Sequence, residues 1–317
     1  MKRFLVNIVI FAFVAFITAI VFDYMISTGL RKIERYNFNT INKIMNNNLN
    51  ADVVILGNSR AQESYHPLVL DTILKIDSWN LGIRGQPFGV SYLRWQVYKR
   101  NNNNPKLLIV NVDYKDLEMV NNGFDREQYY PYIKDTLVKP YLDLYGFSWA
   151  EQNVPMYRYR GNYKIIGIGL LELLHLRHDT KGSYSYIKGF YPSTRKWDGK
   201  NLEDVLSKGK VQDVCNPKAT ALLADLLEEA NKDGTSVVFV YAPLYKRLKD
   251  NLDENASKRI YQQLSEKYEV PILDFTDMSI CTDTNYFYDA NHLNYDGALR
   301  FSVEFAHCID SLGVLQN

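Results

Sequence analysis

The amino-acid sequence predicts an α/β protein, a three-layer α/β/α sandwich around a parallel sheet of about five strands. The short apolar run Asp52–Gly57, rich in β-branched residues, is typical of a buried strand, Trp79–Gly82 is a shorter strand candidate, and Leu107–Asp113 is a third predicted strand. Two further strands are predicted at Ser236–Ala242 and Val270–Phe275. Strands that alternate with helices favour a parallel sheet that is covered on both faces.

Helix signals lie between these strands and after the last one. Asn216 is a good N-cap residue and Pro217 is suited to a first helical turn, so both support an amphipathic helix at Ala219–Lys232. Gly234 suits the end of that helix. The other predicted helices cover residues 90–100, 256–268 and 297–312.

The amino-terminal segment predicts a membrane anchor. Lys2 and Arg3 precede Phe4–Phe22, an apolar run that would span roughly 28 Å as a helix, close to the thickness of a bilayer core. The run is long for a signal peptide and has no Ala-x-Ala-like cleavage site, which favours an uncleaved signal anchor over residues 1–23. The two cations beside the amino terminus place that end in the cytoplasm and residues 24–317 outside it.

The α/β pattern is interrupted by a tyrosine-rich segment, residues 114–215. We assign this segment to an insertion or lid, residues 51–113 and 216–312 to the main domain, and residues 24–50 to a helical stalk. Tyrosines mixed with Arg and Lys could stack on sugar rings, or they could form an aromatic layer that packs the insertion onto the domain. Composition leaves both interpretations open.

Charge and cysteine content limit the function classes. The net charge is +1 with 23% charged residues, and a nucleic-acid-binding domain would be expected to carry a basic patch or stripe. The three cysteines lack the spacing of a metal site, and no cofactor motif is present in the sequence. We therefore expect no metal, no cofactor and no nucleic acid partner.

A candidate nucleophile follows the first predicted strand. Ser59 lies in the run Gly57–Arg60, at the carboxyl end of a strand where α/β proteins bind their ligands. A serine hydroxyl becomes a good nucleophile when a nearby base takes its proton. Taken alone, a serine in this position is more often a helix cap.

A candidate base lies near the other end of the chain. Asp289 and His292 stand three residues apart, before the last predicted helix. This spacing lets the carboxylate orient the imidazole and leaves the other ring nitrogen free to face a nucleophile. A surface loop or a helix cap is the alternative reading of His292.

These motifs together resemble the SGNH (GDSL-like) hydrolase superfamily. The amino-terminal anchor, the GNSR motif, NLGIRGQ and DANHLNYDG resemble its membrane-anchored branch, which includes alginate O-acetylation proteins and the DltD-like proteins. The resemblance covers residues 51–113, residues 216–312 and the anchor. It implies that Ser59 is the nucleophile, His292 the general base and Asp289 the residue that orients it.

The resemblance also implies an oxyanion hole and shows one departure from the family pattern. The expected donors are the backbone amides of Ser59 and Gly85 and an asparagine side chain after the third strand. Asp113 stands where that asparagine is expected, so Asn111 is a weak substitute for it. Arg60, Arg84 and Asp113 are candidate substrate-binding residues, although a surface position or a structural ion pair is the better interpretation of each arginine.

The resemblance implies an extracytoplasmic serine acyl-ester hydrolase or O-acetyltransferase that acts on a cell-envelope polysaccharide. Transfer would require a partner that exports acyl groups, and a multi-spanning membrane-bound O-acyltransferase is the partner that the resemblance suggests. The alternative is a catalytically weak glycan-binding or assembly protein of the envelope, which Asp113 in the oxyanion position slightly favours.

Overall fold

The computed structural model describes residues 1–34, 36–47, 49–119, 125–176 and 186–315. Five of the strands form one parallel sheet in the order β2-β1-β3-β5-β7, whereas β4 and β6 pair separately. This sheet confirms the predicted fold class. The strands are β1 (Val53–Leu56), β2 (Ser78–Asn80), β3 (Leu107–Asn111), β4 (Val211–Gln212), β5 (Ser236–Tyr241), β6 (Leu252–Asp253) and β7 (Ile272–Asp274).

The helices follow the predicted alternation with small shifts at their ends. Those in the described part of the chain are α1 (Lys2–Leu30), α2 (Tyr36–Met45), α3 (Ser59–Ser64), α4 (Pro67–Leu74), α5 (Phe88–Asn101), α6 (Trp149–Asn153), α7 (Tyr163–Leu173), α8 (Lys200–Ser207), α9 (Pro217–Lys232), α10 (Lys246–Lys249), α11 (Asn255–Tyr268) and α12 (Tyr295–Leu312). Short 3₁₀ helices occupy Arg126–Tyr132, Lys139–Tyr145, Tyr157–Tyr159, Ser279–Thr282 and Thr284–Tyr286.

The sheet is covered on both faces, as its nearly continuous apolar strands require. In β1, Val54 and Leu56 point into a core shared with α2, α5 and α9, while Val53 and Ile55 point into a second core shared with α3, α4 and α12. Successive side chains of a strand face opposite sides, so one short strand contributes to both layers. The result is the predicted three-layer sandwich.

The strand order places a ligand-binding crevice at β1 and β3. The chain runs from β1 outward to β2 and then returns to the other side of β1 to form β3. Such a reversal separates the loops that leave the carboxyl ends of two adjacent strands and opens a crevice between them. Ser59, in the loop and helix after β1, and Asp113, after β3, therefore lie on either side of the expected ligand-binding position.

β2 ends two residues earlier than predicted, although the backbone amides of Leu81 and Ile83 still donate to the carbonyls of Ile55 at 2.7 Å and Gly57 at 3.0 Å. The side-chain nitrogen of Asn80 donates to the carbonyls of Ala61 at 2.8 Å and Tyr65 at 3.1 Å, and its side-chain oxygen accepts the amide of Gly82 at 2.9 Å. These bonds hold the end of β2 against α3. They also fix the loop that leads toward Gly85.

The amino-terminal helix has two unlike parts. The side chains of residues 4–22 are largely exposed, and α1 is long and apolar enough to cross a bilayer. From Ile26 onward its inward face is buried in the domain, with Leu30 also fully buried, and Ile41 and Ile44 of α2 extend the same core. The helix thus passes from the candidate membrane span into the domain. The proposed limits of the anchor, stalk, domain and insertion stay predictions.

Many tyrosines of the predicted insertion are packing residues. Tyr129, Tyr132, Tyr145 and Tyr159 are buried in the same core as α1, α2 and α5. Aromatic rings bury large areas and pair in tilted or edge-to-face arrangements, as Tyr130 and Tyr159 do at 5.4 Å between centroids. For these residues the structure supports an aromatic packing layer. The stretches 120–124 and 177–185 of the insertion lie outside the described residues.

A buried ion pair joins the carboxyl ends of the central strands. Arg60, only 4% exposed, places Nη1 2.7 Å from Asp113 Oδ2, and its Nη2 donates to the carbonyl of Ala242 at 2.5 Å. Asp116 is buried nearby, and its burial together with the charge of Asp113 raises the pKa of Asp116 well above the ordinary value. Arg60 therefore supplies the positive charge for two neighbouring acids.

We predict that Arg60→Ala destabilises the protein by about 3–5 kcal/mol, because it leaves Asp113 buried and unpaired. The control is Arg247→Ala, which removes a 2.9 Å ion pair with Glu203 in which both side chains are more than half exposed. That change should cost less than about 1 kcal/mol. Urea unfolding of the detergent-solubilised protein measures both, and equal shifts of the two midpoints would contradict the role assigned to Arg60.

Candidate active site

The loop that follows β1 is shaped by a glycine that no other residue could replace without strain. Gly57 has a φ of 146°. A Cβ on Gly57 would lie 2.8 Å from Ala61 Cβ and 3.0 Å from Asn111 Cβ, which is too close for ordinary contact. The missing side chain lets the backbone turn sharply between β1 and α3. This turn places Ser59 at the first position of α3.

Asn58 caps α3 and fixes the turn from the other side. Its side-chain oxygen accepts the amide of Arg60 at 2.8 Å, and its side-chain nitrogen donates to Asp116 Oδ1 at 2.7 Å. A side chain that satisfies a free helix amide stabilises the helix start. The cap belongs to Asn58, so the hydroxyl of Ser59 is not needed for it. This answers the alternative reading of Ser59 as a helix cap.

The structure brings Ser59, His292 and Asp289 together. Ser59 Oγ lies 2.8 Å from His292 Nε2, and His292 Nδ1 lies 2.8 Å and 3.0 Å from the two carboxylate oxygens of Asp289. An ionised carboxylate can accept a hydrogen bond but cannot donate one. The His292 nitrogen that faces Asp289, Nδ1, therefore carries the proton, and Nε2 is free to accept the proton of the serine hydroxyl. This is the geometry of a serine nucleophile with an oriented base.

Asp289 is held in the ionised form by its own loop. Burial alone would raise the pKa of Asp289, but the hydrogen bond and charge of His292 and the amides of Asn291 and His292 outweigh it and lower the pKa. The two amides donate to Oδ1 at 2.8 Å and 3.0 Å. An ionised Asp289 both orients the ring and stabilises the imidazolium that forms when His292 accepts a proton.

Two residues that the sequence analysis did not identify connect the nucleophile and the base. Glu63, one helical turn after Ser59 and 1% exposed, accepts a short hydrogen bond from the hydroxyl of Tyr288. The Tyr288 ring lies parallel to the His292 ring, at 5.3 Å between centroids and 5° between planes. The Glu63–Tyr288 bond therefore ties the helix that carries Ser59 to the loop that carries His292.

Two arginines flank this connection. Arg84 Nε pairs with Glu63 Oε1 at 3.1 Å and its guanidinium lies 5.0 Å from the centroid of the Tyr191 ring. The guanidinium of Arg195 lies over the ring of Tyr288 at 3.6 Å. Burial raises the pKa of Glu63, while the charges of His292 and Arg84 oppose that rise. Two positive charges thus lie near the buried carboxyl group of Glu63, beside His292.

The remaining predicted site residues are placed as follows. Asn111 is buried and its side-chain oxygen accepts from the hydroxyl of Tyr65 at 2.9 Å. Gly85 takes a φ of 62° in an exposed turn. The Arg60–Asp113 pair supports a structural interpretation of Arg60, and it neutralises the carboxylate that would otherwise repel an oxyanion. The oxyanion roles of Ser59, Gly85 and Asn111 stay predictions.

We predict that Ser59→Ala and His292→Ala abolish turnover of an acetyl ester, and that Asp289→Asn reduces kcat by about 10⁴-fold because the imidazole takes the wrong tautomer. The matched control is Ser64→Ala, a serine on the same helix, which should retain turnover. Covalent labelling by a fluorophosphonate probe provides a second measurement. Labelling of the Ser59→Ala protein at the wild-type rate would disprove the assignment of the nucleophile.

We predict that Tyr288→Phe lowers kcat by about 10- to 100-fold with little change in KM, since it removes a hydrogen bond to a charged group worth about 1.5–3 kcal/mol. The ring and its stacking on His292 are retained, so any loss reports the bond to Glu63. Tyr268→Phe, at a partly buried tyrosine on α11 whose hydroxyl accepts from Lys267, serves as the control. An unchanged kcat in Tyr288→Phe would show that the bond does not position the base.

Comparisons with known proteins give structural neighbours at low similarity. No family model and no curated protein matches the sequence. A candidate lipolytic protein of the G-D-S-L family from Desulfitobacterium hafniense DCB-2 aligns over 80% of this chain and 97% of its own, at 11% identity and a TM-score of 0.39. A candidate platelet activating factor from Streptococcus pneumonia aligns over 95% of this chain and 98% of its own, at 12% identity and a TM-score of 0.41. A candidate acylhydrolase from Bacteroides fragilis NCTC 9343 aligns over 81% of this chain and 86% of its own, at 12% identity and a TM-score of 0.34. At these scores the functional argument rests on the geometry of the site.

Proposed function

We propose that this protein is a membrane-anchored serine esterase or O-acyltransferase that acts on acyl esters of a cell-envelope polysaccharide. The observation that carries the proposal is the unbroken hydrogen-bonded connection from Ser59 Oγ through His292 to Asp289, with both links at 2.8 Å. A hydroxyl, an imidazole and a carboxylate in this order form the acyl-transfer arrangement that recurs on unrelated folds.

Each half of the reaction uses His292 Nε2 first as a base and then as an acid. Ser59 Oγ attacks the ester carbonyl while His292 Nε2 takes the hydroxyl proton, and the same proton then passes to the departing alcohol oxygen. This leaves an acyl ester on Ser59. In the second half, His292 Nε2 takes a proton from water or from a sugar hydroxyl as that oxygen attacks the acyl carbon, and it returns the proton to Ser59 Oγ as the bond between Ser59 and the acyl group breaks. Water yields a free acid, and a sugar hydroxyl yields an acylated sugar.

The buried pair of Arg60 and Asp113 favours an enzyme over an inactive relative. A bare carboxylate at the oxyanion position would oppose the negative charge that develops on the ester oxygen. Here the carboxylate oxygen Oδ2 of Asp113 is occupied by Arg60 at 2.7 Å. The presence of Asp113 where an asparagine is expected most weakened the catalytic interpretation, and the charge of Arg60 compensates for it.

A polar cleft beside the triad supports a polysaccharide substrate. Residues 193–197 form one wall and residues 284–285 and 294–296 the other, around a volume of about 610 Å³. Arg195, in the first wall, is the residue that covers Tyr288, so the cleft adjoins the catalytic histidine. Its walls carry serine, threonine, asparagine and charged side chains together with the aromatic rings of Trp197 and Tyr295. Hydroxyl-rich chains suit such a surface better than a long hydrocarbon chain does.

The apolar helix α1 supports a location at the cytoplasmic membrane, with the domain outside the cytoplasm because Lys2 and Arg3 precede the apolar run. Acyl donors made in the cytoplasm must cross the membrane before they reach Ser59. For a transferase, a multi-spanning membrane-bound O-acyltransferase is the partner that would deliver them.

The test offers the full-length protein in lipid vesicles a chromogenic acetyl ester and a panel of acidic and neutral oligosaccharides. We expect acetylation of Ser59, followed by release of acetate or by acetylated sugar, and the ratio of the two products separates hydrolase from transferase. Lys196→Ala, in the cleft wall, should lower transfer to sugar while leaving small-ester hydrolysis intact. If Ser59 is never acylated, the protein is a glycan-binding or assembly protein instead.

A further inference from the structure

The end of the apolar run is locked to the domain by polar contacts. The carboxylate of Asp23 accepts the backbone amide of Met156 at 2.8 Å and forms a short ion pair with Arg158. One turn later, the hydroxyl of Ser27 lies 2.9 Å from the hydroxyl of Tyr159 and accepts from Arg158 at 3.0 Å. Residues 156–159 are thereby fixed to α1 at the point where its exposed apolar surface ends.

Close helix packing strengthens this attachment. α7 crosses α1 at two glycines, where a Cβ on Gly29 would lie 1.7 Å from the carbonyl oxygen of Gly169. A Cβ on Gly169 would lie 2.8 Å from the carbonyl oxygen of Ile26. Backbones that approach so closely leave little room for one helix to move against the other. These contacts therefore fix the distance between the domain and the apolar run of α1.

A group of exposed apolar and cationic side chains lies beside the end of the apolar run: Tyr24, Lys134, Trp149 and Val154. We call this group the exit face. Tyr24, Trp149 and Val154 are 68%, 74% and 39% exposed. Tyr24, Lys134 and Val154 line a groove of about 320 Å³ that also includes Ile20 and Asp23, at the end of the apolar run. Trp149 lies one turn before Asn153, which lines the same groove.

We propose that the exit face lies in the headgroup layer of the phospholipid bilayer and seats the domain directly on the membrane. Tryptophan and tyrosine concentrate at this depth because their rings are apolar and their polar groups can stay hydrated. At this depth, Lys134 would lie within reach of the lipid phosphates. The exit face is continuous with the apolar surface of α1, so a bilayer that covers residues 4–22 also reaches it.

Lipid is favoured over a protein partner because the exit face is held at a fixed distance from the end of the apolar run. The contacts of Asp23 and Ser27 place the exit face beside the end of the membrane span whichever proteins are nearby. Lipid headgroups are always present at that level, whereas a partner protein has to be recruited. The inference depends on the anchor and not on the triad, so the proposed enzymatic function could fail while this inference holds.

The test measures tryptophan fluorescence of the full-length protein in vesicles whose lipids carry bromine at shallow acyl-chain positions. Of the four tryptophans, Trp79 and Trp95 are buried in the core and Trp197 packs on Tyr245 at 4.7 Å. We expect brominated lipid to quench part of the emission, and Trp149→Phe to remove most of that quenching. Trp197→Phe is the matched control and should leave it unchanged.

Iodide in the aqueous phase supplies the opposing measurement. If iodide quenches the emission that Trp149→Phe removes, and brominated lipid does not, the exit face is in water and the proposal is wrong. That result would leave the face free for a membrane protein partner. Equal lipid quenching in the wild type and in Trp149→Phe would also overturn the proposal, because the quenched tryptophan would then lie elsewhere.

Discussion

The ion pair between Arg60 and Asp113 is the interaction on which the arrangement of the site depends. It connects the residue after the nucleophile to the end of β3, and through the carbonyl of Ala242 to the end of β5. The ends of β3 and β5 and the start of α3 are thus held by one guanidinium. Because Arg60 follows Ser59 directly, its position also limits where the serine hydroxyl can point. A buried pair of this kind gives little net stability but penalises any arrangement that separates its members.

Charge of alternating sign extends outward from this pair. Asp113 lies against Arg60, and on the other side of Ser59 the carboxyl group of Glu63 lies against Arg84. In a site with low dielectric, each such neighbour would affect the energy of an imidazolium formed at His292. In the proposed mechanism the triad supplies the reacting atoms, and the surrounding acids and arginines set the electric field around them.

The sequence was sufficient for the fold class because the strands are short apolar runs with clear ends. The positions of Ser59, Asp289 and His292 relative to strands and helices also predicted that these three residues would meet, as they do in the structure. Glu63 was missed although its spacing of four residues from Ser59 places both on one helix face, which is a usable signal. Tyr288 could not be recognised, because its importance comes from stacking on His292 and from a partner 225 residues away.

The tyrosine-rich segment shows a different limit of sequence reasoning. Composition could not separate sugar-stacking tyrosines from packing tyrosines, since both need the same ring. Burial separates them: Tyr129, Tyr145 and Tyr159 are enclosed in the core, whereas Tyr186 and Tyr191 lie beside Arg84 at the edge of the site. Among the described residues of this segment, the run from residue 186 to 197 lies beside Arg84 and Tyr288, and the hydroxyl of Tyr114 donates to Asn291 in the loop that carries His292.

The continuity of α1 from the candidate membrane span into the domain bears on how the proposed enzyme would meet its substrate. A domain on a loose tether explores a volume, but a domain fused to a rigid helix of about 43 Å would move only as that helix drifts or tilts in a membrane. The search for substrate would then be two-dimensional. Under the proposed function, polymer that has already left the membrane surface would be out of reach, and chains would be modified only while they are being made or exported nearby.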